Sequence, residues 1–263
     1  MWILQKNIWK EEKYNLFCGY LGKYGIDHKI IDLIPFTEKL DLPTEVGNIE
    51  MIFGSIRFTE LLRNEGCKSF FNDNFNYLVW SEIFKDSCLN YPATVSKIGD
   101  LSFPLNYDIF IRPVLDDKSF TGTIMREGDD LSVIQFGTTK PIKDIEVSIS
   151  PIKKIYSETR YFVVGEDTVT SSTYRVGSKV LYKNNDFPSS ELDFAKSMID
   201  IWRPSDMFCI DIADTPDGYK IIEFGSIHNC GFYDIDLSKL IQSISNYFKD
   251  DRINNRRYSR FRI

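Results

Sequence analysis

Residues 211–223, DIADTPDGYKIIE, are built to double back on themselves. Two short strands of alternating character flank Thr215-Pro216-Asp217-Gly218. Pro at the second turn position and Gly at the fourth suit a type I turn closed by a left-handed glycine. A three-residue loop pairs Thr215 with Tyr219. It sets Asp211 opposite Glu223 on one face and leaves the other face to Ile210, Ile212, Ile222 and Phe224. Two carboxylates facing each other across a ladder repel unless positive charge lies between them. A hard divalent cation is one solution, because Mg²⁺ takes one or two carboxylates and completes its shell with phosphate oxygens. A solvated hairpin face with two unrelated acids is the other reading.

Composition narrows the classes. The 263 residues are 43% hydrophobic and 14% aromatic, enough for a sizeable core. A net charge of −6 argues against a protein whose main task is coating nucleic acid or an anionic membrane. Cys18, Cys67, Cys88, Cys209 and Cys230 are odd in number and scattered, without a CxxC, which suits a reduced cytoplasmic protein. With only His28 and His228, neither a histidine-rich metal centre nor a conventional triad is expected. No apolar run of about 18 residues occurs and MWILQKN lacks a signal-peptide layout, so no membrane association is expected. Residues 252–263 carry five arginines and no acid, a solvated chain end or a docking segment for an anion or partner.

Periodicity divides the chain. Strand signals at 2–5, 28–34 and 49–53 alternate with a helical face at Leu16, Phe17, Tyr20, Leu21 and Tyr24, stopped by Gly25, and with a short helix through Leu61 and Leu62. This βαβ rhythm predicts a small parallel sheet. From about residue 104 the pattern turns to strands and hairpins: 107–112, 145–150, and 160–164 paired with 168–174 around Gly165-Glu166-Asp167. Ser190 and Asp193 resemble a capping box for a helix through Ala195, Ile199 and Trp202. A last helix carries Leu237, Leu240, Ile241, Ile244 and Phe248 on one side. The expectation is an α+β chain with units at 1–100, 101–250 and a basic tail at 251–263.

Three further segments carry chemistry. FIRPVLDDKSFTG ends a strand with Arg112 and runs into a loop holding Lys118 and Gly122, which suits a flap over phosphates. Glu158 and Arg160 share one face of a strand, opposite Tyr161 and Val163, and Arg175 closes the next strand. In EFGSIHNCGFY, Asn229 offers a neutral oxygen ligand, whereas His228 reads as a packing residue.

In this order, FIRPVLDDKSFTG, ISPIKKIYSETRYFVV, SSTYR and DIADTPDGYKIIEFGSIHNCGFYDID, with Leu89-Asn90 before them, resemble the ATP-grasp superfamily and within it the R-two-K clade. The resemblance implies an ATP-grasp fold with a small βαβ domain in front. It places Arg112 and Lys118 on ATP phosphates, Glu146, Val147 and Ser148 in a hinge strand along adenine, and Asp211 and Glu223 on Mg²⁺. Arg160 and Arg175 would face the transferred phosphoryl group. The family pattern reads Glu-x-Asn at the second metal position; here that Asn is Gly225, and Asn229 stands as the candidate replacement.

The implied activity is a carboxylate–amine ligase: ATP phosphorylates a carboxylate and an amine displaces the phosphate. The alternatives are a nucleotide-binding module without ligase activity, a partner-binding protein using its tail, and a metal-dependent hydrolase. The hydrolase reading leaves the Arg112–Lys118 loop idle.

Overall fold

The structure is a computed structural model describing all residues except 7, 35, 36, 38, 43, 44, 138–140 and 251–263. The arginine-rich tail at 252–263 lies outside the described residues.

The first unit is a three-stranded parallel sheet. Strand β1 (Trp2–Gln5) lies between β2 (His28–Ile31) and β3 (Met51–Phe53), with helix α1 (Glu11–Lys23) as the first crossover and α2 (Ile56–Asn64) following β3. Trp2 and Leu4 point into one core and Ile3 into another, so β1 is apolar on both faces, as central parallel strands must be. Of the predicted α1 face, Phe17 and Leu21 are buried but Leu16 is exposed.

A four-stranded antiparallel sheet follows. After α3 (Tyr77–Phe84), strands β4 (Thr94–Lys97), β5 (Ile109–Pro113), β6 (Thr123–Met125) and β7 (Glu146–Ser150) pair in the order β4-β7-β5-β6. Ile109 and Ile111 enter the core of this sheet, so the alternation of IFIRP sends Phe110 and Arg112 to the opposite face.

The largest sheet contains β8 (Ser157–Val164), β9 (Asp167–Val176) and β10 (Lys179–Asn184). After α4 (Ser190–Ile201) come β11 (Met207–Thr215) and β12 (Gly218–Ser226), and α5 (Leu237–Lys249) closes the chain. The order is β10-β9-β8-β11-β12, antiparallel throughout. One face packs on α3 and α4 through Tyr161, Val163, Phe208, Ile210, Ile212 and Phe224. The other face is covered along part of its length by α1 and α5, where Phe162, Met207 and Cys209 meet Leu240, Ile241 and Ile244. The uncovered remainder of that face carries Arg160 and Asp211.

Helix α4 is capped by Ser189 rather than Ser190: the Ser189 hydroxyl accepts from Leu192 N–H at 3.1 Å. Ser190 instead shares a hydrogen bond with the Tyr219 hydroxyl at 2.9 Å. Such a cap contributes about 1 kcal/mol and satisfies a donor the helix cannot. All five cysteines are free thiols. Among the described residues no helix is long and apolar enough to cross a membrane.

Candidate functional site

The two antiparallel sheets enclose a cleft of about 620 Å³. Phe110, Arg112, Thr123 and Ile124 line it from β5 and β6. Glu158, Arg160, Tyr174, Arg175, Asp211, Ile222 and Glu223 line it from the five-stranded sheet. Leu89, Ile152 and Ile155 add an apolar side with Asn90 beside them, and Asp116 and Lys118 reach in from the loop after β5.

The β11–β12 hairpin reaches the expected juxtaposition by a different route. Thr215 pairs with Gly218, and Asp214, Ala213 and Ile212 pair with Tyr219, Lys220 and Ile221. A bulge then inserts one extra residue into β12, and only this returns Asp211 to a position opposite Glu223. The consequence is a correction: Ile221 enters the core in place of Ile222, and Ile222 turns to the cleft.

Guanidinium groups supply the positive charge between the two acids. Asp211 is 2% exposed and receives both Nε and Nη2 of Arg160 at 2.8 Å, its cross-strand neighbour on β8. Arg160 also approaches Glu223 at 3.6 Å. Arg112 donates to Glu223 at 2.9 Å and to the Ile222 carbonyl at 3.0 Å. Burial pushes the Asp211 carboxyl up, against the pull of Arg160. Burial alone would lower Arg160, but the Asp211 carboxylate more than reverses this and holds it well above its ordinary value. A fork-on-carboxylate geometry of this kind keeps both partners ionised. Tyr174 adds an O–H donor to Asp211 at 3.2 Å, and the rings of Tyr174 and Tyr233 lie 5.9 and 5.1 Å from the Arg160 guanidinium.

The loop after β5 is bent to present its charges. Lys118 has φ of +50°, a left-handed conformation uncommon for a residue with a Cβ, and its Nζ donates to the Asn229 carbonyl at 3.2 Å. Tyr233, also on the cleft, has φ of +49°. Gly122 makes room for the Phe110 ring: a Cβ there would lie 2.7 Å from its tip and the ring would have to turn aside. Asp116, half-buried beside Glu223, is pushed up to about 6, first by burial and then by the Glu223 charge, while Lys118 and Arg112 pull it down.

The expected site residues therefore divide. Arg112, Lys118, Arg160, Arg175, Asp211 and Glu223 converge on the cleft. Arg175 pairs with Glu158 at 3.2 Å, so the Glu158–Arg160 neighbours on β8 take separate partners. Glu146, Val147 and Ser148 do not line the cleft. They sit between β4 and β5, where Ser148 pairs with Val95 and Arg112 and the Glu146 carbonyl accepts from Val114, so ladder bonds use their backbone groups. The cleft takes Ile152, Lys153 and Ile155 from the stretch that follows. Asn229 contributes its backbone carbonyl to Lys118.

Asp116, Tyr174 and Tyr233 escaped the sequence reading; strict alternation would send Tyr174 to the face opposite Arg175, and the register shift in β9 at this point brings both to the cleft. Among the described residues no three His, Cys, Asp or Glu side chains converge as a cation cage. The hard-oxygen donors Asp211 and Glu223 nonetheless suit Mg²⁺, which needs only one or two carboxylates when phosphates complete its shell.

His228 is structural. Its Nδ1 donates to the Ile52 carbonyl at 2.8 Å and its Nε2 accepts from Phe70 N–H at 2.9 Å, tying β3 to the segment after β12. This arrangement demands the neutral ring, and burial, followed by Arg63, lowers it to about 4. Between pH 6.5 and 4 the unfolded chain takes up a proton that the folded one refuses. The stability owed to a neutral His228 is therefore complete above 6.5 and lost as pH falls towards 4, by up to about 3 kcal/mol. The stability gap between wild type and His228→Asn should narrow as urea melts are moved from pH 7 to pH 4.5; a constant gap would contradict the assignment.

Comparison with known proteins identifies the family and the fold. A family model described as ATP-grasp domain, R-two-K clade family 3, matches residues 57–244. Among solved structures, the chain resembles the D-alanine–D-alanine ligase from Bacillus anthracis complexed with ATP, at TM-score 0.62 and 12% identity, covering 97% of this chain and 98% of that one. D-cycloserine synthetase DcsG superimposes at TM-score 0.62 and 10% identity, with 93% and 98% covered. The ATP-grasp ligase PsnB complexed with minimal precursor does so at 0.56 and 10%, with 94% and 98% covered. No curated protein matches the chain by sequence. With most of its length under one family model and its whole fold shared with ATP-grasp ligases, the chain belongs to the R-two-K clade of the ATP-grasp superfamily.

Proposed function

We propose that this protein is an ATP-dependent ligase that joins a carboxylate to an amine through an acylphosphate. The observation that carries the reading is the alternation of charge across one cleft: Arg112 and Arg160 hold Glu223 and Asp211, with Lys118 beside them. Polyphosphate needs such cations, and its accompanying divalent ion needs such carboxylates.

In this reading Leu89, Ile152, Ile155 and Ile222 flank the adenine, beyond the Ser150 end of the strand that begins with Glu146, Val147 and Ser148. Arg112 and Lys118 bind phosphate oxygens, and Arg160 and Arg175 face the group in transfer. Mg²⁺ held by Asp211 and Glu223 would neutralise charge on the terminal phosphates. Arg112, released from Glu223, then turns from carboxylate to phosphate. Lys118 sits on the loop that bounds the cleft, where it covers the acylphosphate and excludes water. A substrate amine attacks the acyl carbon and phosphate leaves, so the chain supplies no covalent nucleophile.

The test is ADP release from Mg-ATP against paired carboxylates and amines, with hydroxylamine added to trap an activated acyl group as a hydroxamate. ADP release that requires the carboxylate, stops with EDTA and yields hydroxamate is expected. Gly225 favours one other reading, a nucleotide-binding module without turnover. ATP binding by calorimetry with no ADP release for any pair would establish that module instead. Absence of ATP binding would end both readings.

A further inference from the structure

Strand β10 is finished differently from an ordinary sheet edge. It is the last strand of the five-stranded sheet, and among the described residues no strand pairs with its outer side. Such edges are normally guarded by charge and polarity. Here Val180, Leu181 and Tyr182 stand in a row, 65%, 48% and 54% exposed, with Lys179 and Lys183 at either end. The lysines are the guard an edge calls for; three exposed apolar side chains between them are not.

The edge also leads into the cleft. The Tyr182 ring stacks on Tyr233 with centroids 5.1 Å apart, and Tyr233 stacks on Tyr174 at 4.8 Å. Tyr233 lies in turn 5.1 Å from the Arg160 guanidinium, so two ring contacts separate β10 from the reacting end of the site. Val180 stands opposite Arg175 in the β9–β10 ladder, which brings the strand to the cleft at a second point.

Charge selects the occupant. A second copy of the chain pairing edge to edge would set four lysines, two from each β10, along one ladder that has no acid of its own. A strand carrying carboxylates instead meets both lysines with opposite charge and covers the apolar side chains between them. The bulge between Val180 and Lys183 twists the edge away from long pairings, so the added strand is short.

We propose that β10 is the docking strand for an acidic, extended polypeptide segment, which joins the sheet at this edge and leads a carboxylate past Tyr182 and Tyr233 to Arg160. The proposal rests on the ligase reading above and names its carboxylate substrate: an acid within a peptide or protein, not a free amino acid. Main-chain ladder bonds supply affinity, and the lysines and the apolar side chains supply selection. An oxygen of the docked carboxylate attacks the γ-phosphorus, the bond to ADP breaks, and the acylphosphate forms on the segment while it stays held.

The experiment measures binding of fluorescein-labelled (Glu-Val)4 to the full chain by fluorescence anisotropy at pH 7 and low salt, without nucleotide. The peptide should bind, and (Lys-Val)4 should not. Lys179→Glu with Lys183→Glu should weaken (Glu-Val)4 at least about tenfold, because two attractive contacts become repulsive. Neither lysine lines the cleft, so the KM for ATP should stay unchanged. A fully N-methylated (Glu-Val)4 keeps its charge but cannot form the ladder, and its binding should be lost. Equal binding of the methylated peptide, or unchanged affinity in the charge-reversed chain, would overturn the proposal. So would a dimer of the chain that (Glu-Val)4 fails to dissociate. The two readings fail separately. A chain that binds ATP but not (Glu-Val)4 overturns this proposal alone; one that binds the peptide at β10 but turns over no ATP removes the ligase reading and keeps the docking strand.

Discussion

Arg160→Leu is expected to destabilise the fold by about 3–5 kcal/mol, the usual consequence of removing one partner from a buried ion pair. Arg160 is 8% exposed and Asp211 2%, and the pair is joined by two bonds of 2.8 Å. Without the guanidinium, Asp211 keeps only the Tyr174 hydroxyl at 3.2 Å. The expected result in a denaturant melt at pH 7 is a lower midpoint with little change of slope. The double variant Arg160→Leu/Asp211→Leu should recover most of the loss, because two apolar side chains no longer require solvation.

The pH dependence has a definite sign. Burial already raises Asp211 above the ordinary carboxylate range, and losing Arg160 raises it further. A raised folded value means the penalty is full at high pH and fades as pH falls through it. Arg160→Leu should therefore approach wild type under mild acid. A loss below about 1 kcal/mol at pH 7 would show that the pair is not buried as described.

Glu223→Ala is expected to do the reverse, sparing the fold and removing the activity. The Glu223 side chain is 31% exposed, and its bond to Arg112 leaves that arginine a second acceptor in the Ile222 carbonyl. Pairs so placed contribute about 0–1 kcal/mol. ADP release in the presence of carboxylate and amine, however, should fall on the order of 100-fold or more, the scale of losing one preorganised electrostatic contact in phosphoryl or acyl transfer. Turnover surviving in Glu223→Ala would refute the ligase mechanism as drawn. The two carboxylates of one hairpin thus separate: Asp211 is bound into stability and site together, Glu223 into the site alone.

Much of this was legible in the chain. The alternation in FIRP settled that Arg112 leaves the core of its sheet, since Ile109 and Ile111 claim it. The period of two in β8 likewise separated Arg160 from Tyr161 and Val163. The turn residues 215–218 committed β11 and β12 to a hairpin, and α5 buries Leu237, Leu240, Ile241 and Ile244 at the spacing of one helical face. Less legible was whatever depends on a single residue of register. The bulge in β12 exchanged Ile221 for Ile222 because a loop one residue shorter than expected had to be made up within the strand. Strand β10 carries exposed side chains at 179–183 and so lacks the alternation that marks a half-buried strand.

By itself, the sequence determined the α+β class, the parallel sheet followed by hairpins, and the hairpin that carries both Asp211 and Glu223. These follow from local periodicity and turn chemistry, which act over a few residues. Only the tertiary structure decided what lies between those two acids. Arg160 comes from 51 residues earlier and Arg112 from 111 before Glu223. Asp116 comes from a loop whose approach to the same cleft no spacing encodes. Which charge meets which across a cleft depends on how sheets pack, and packing is a property of the whole chain rather than of any segment.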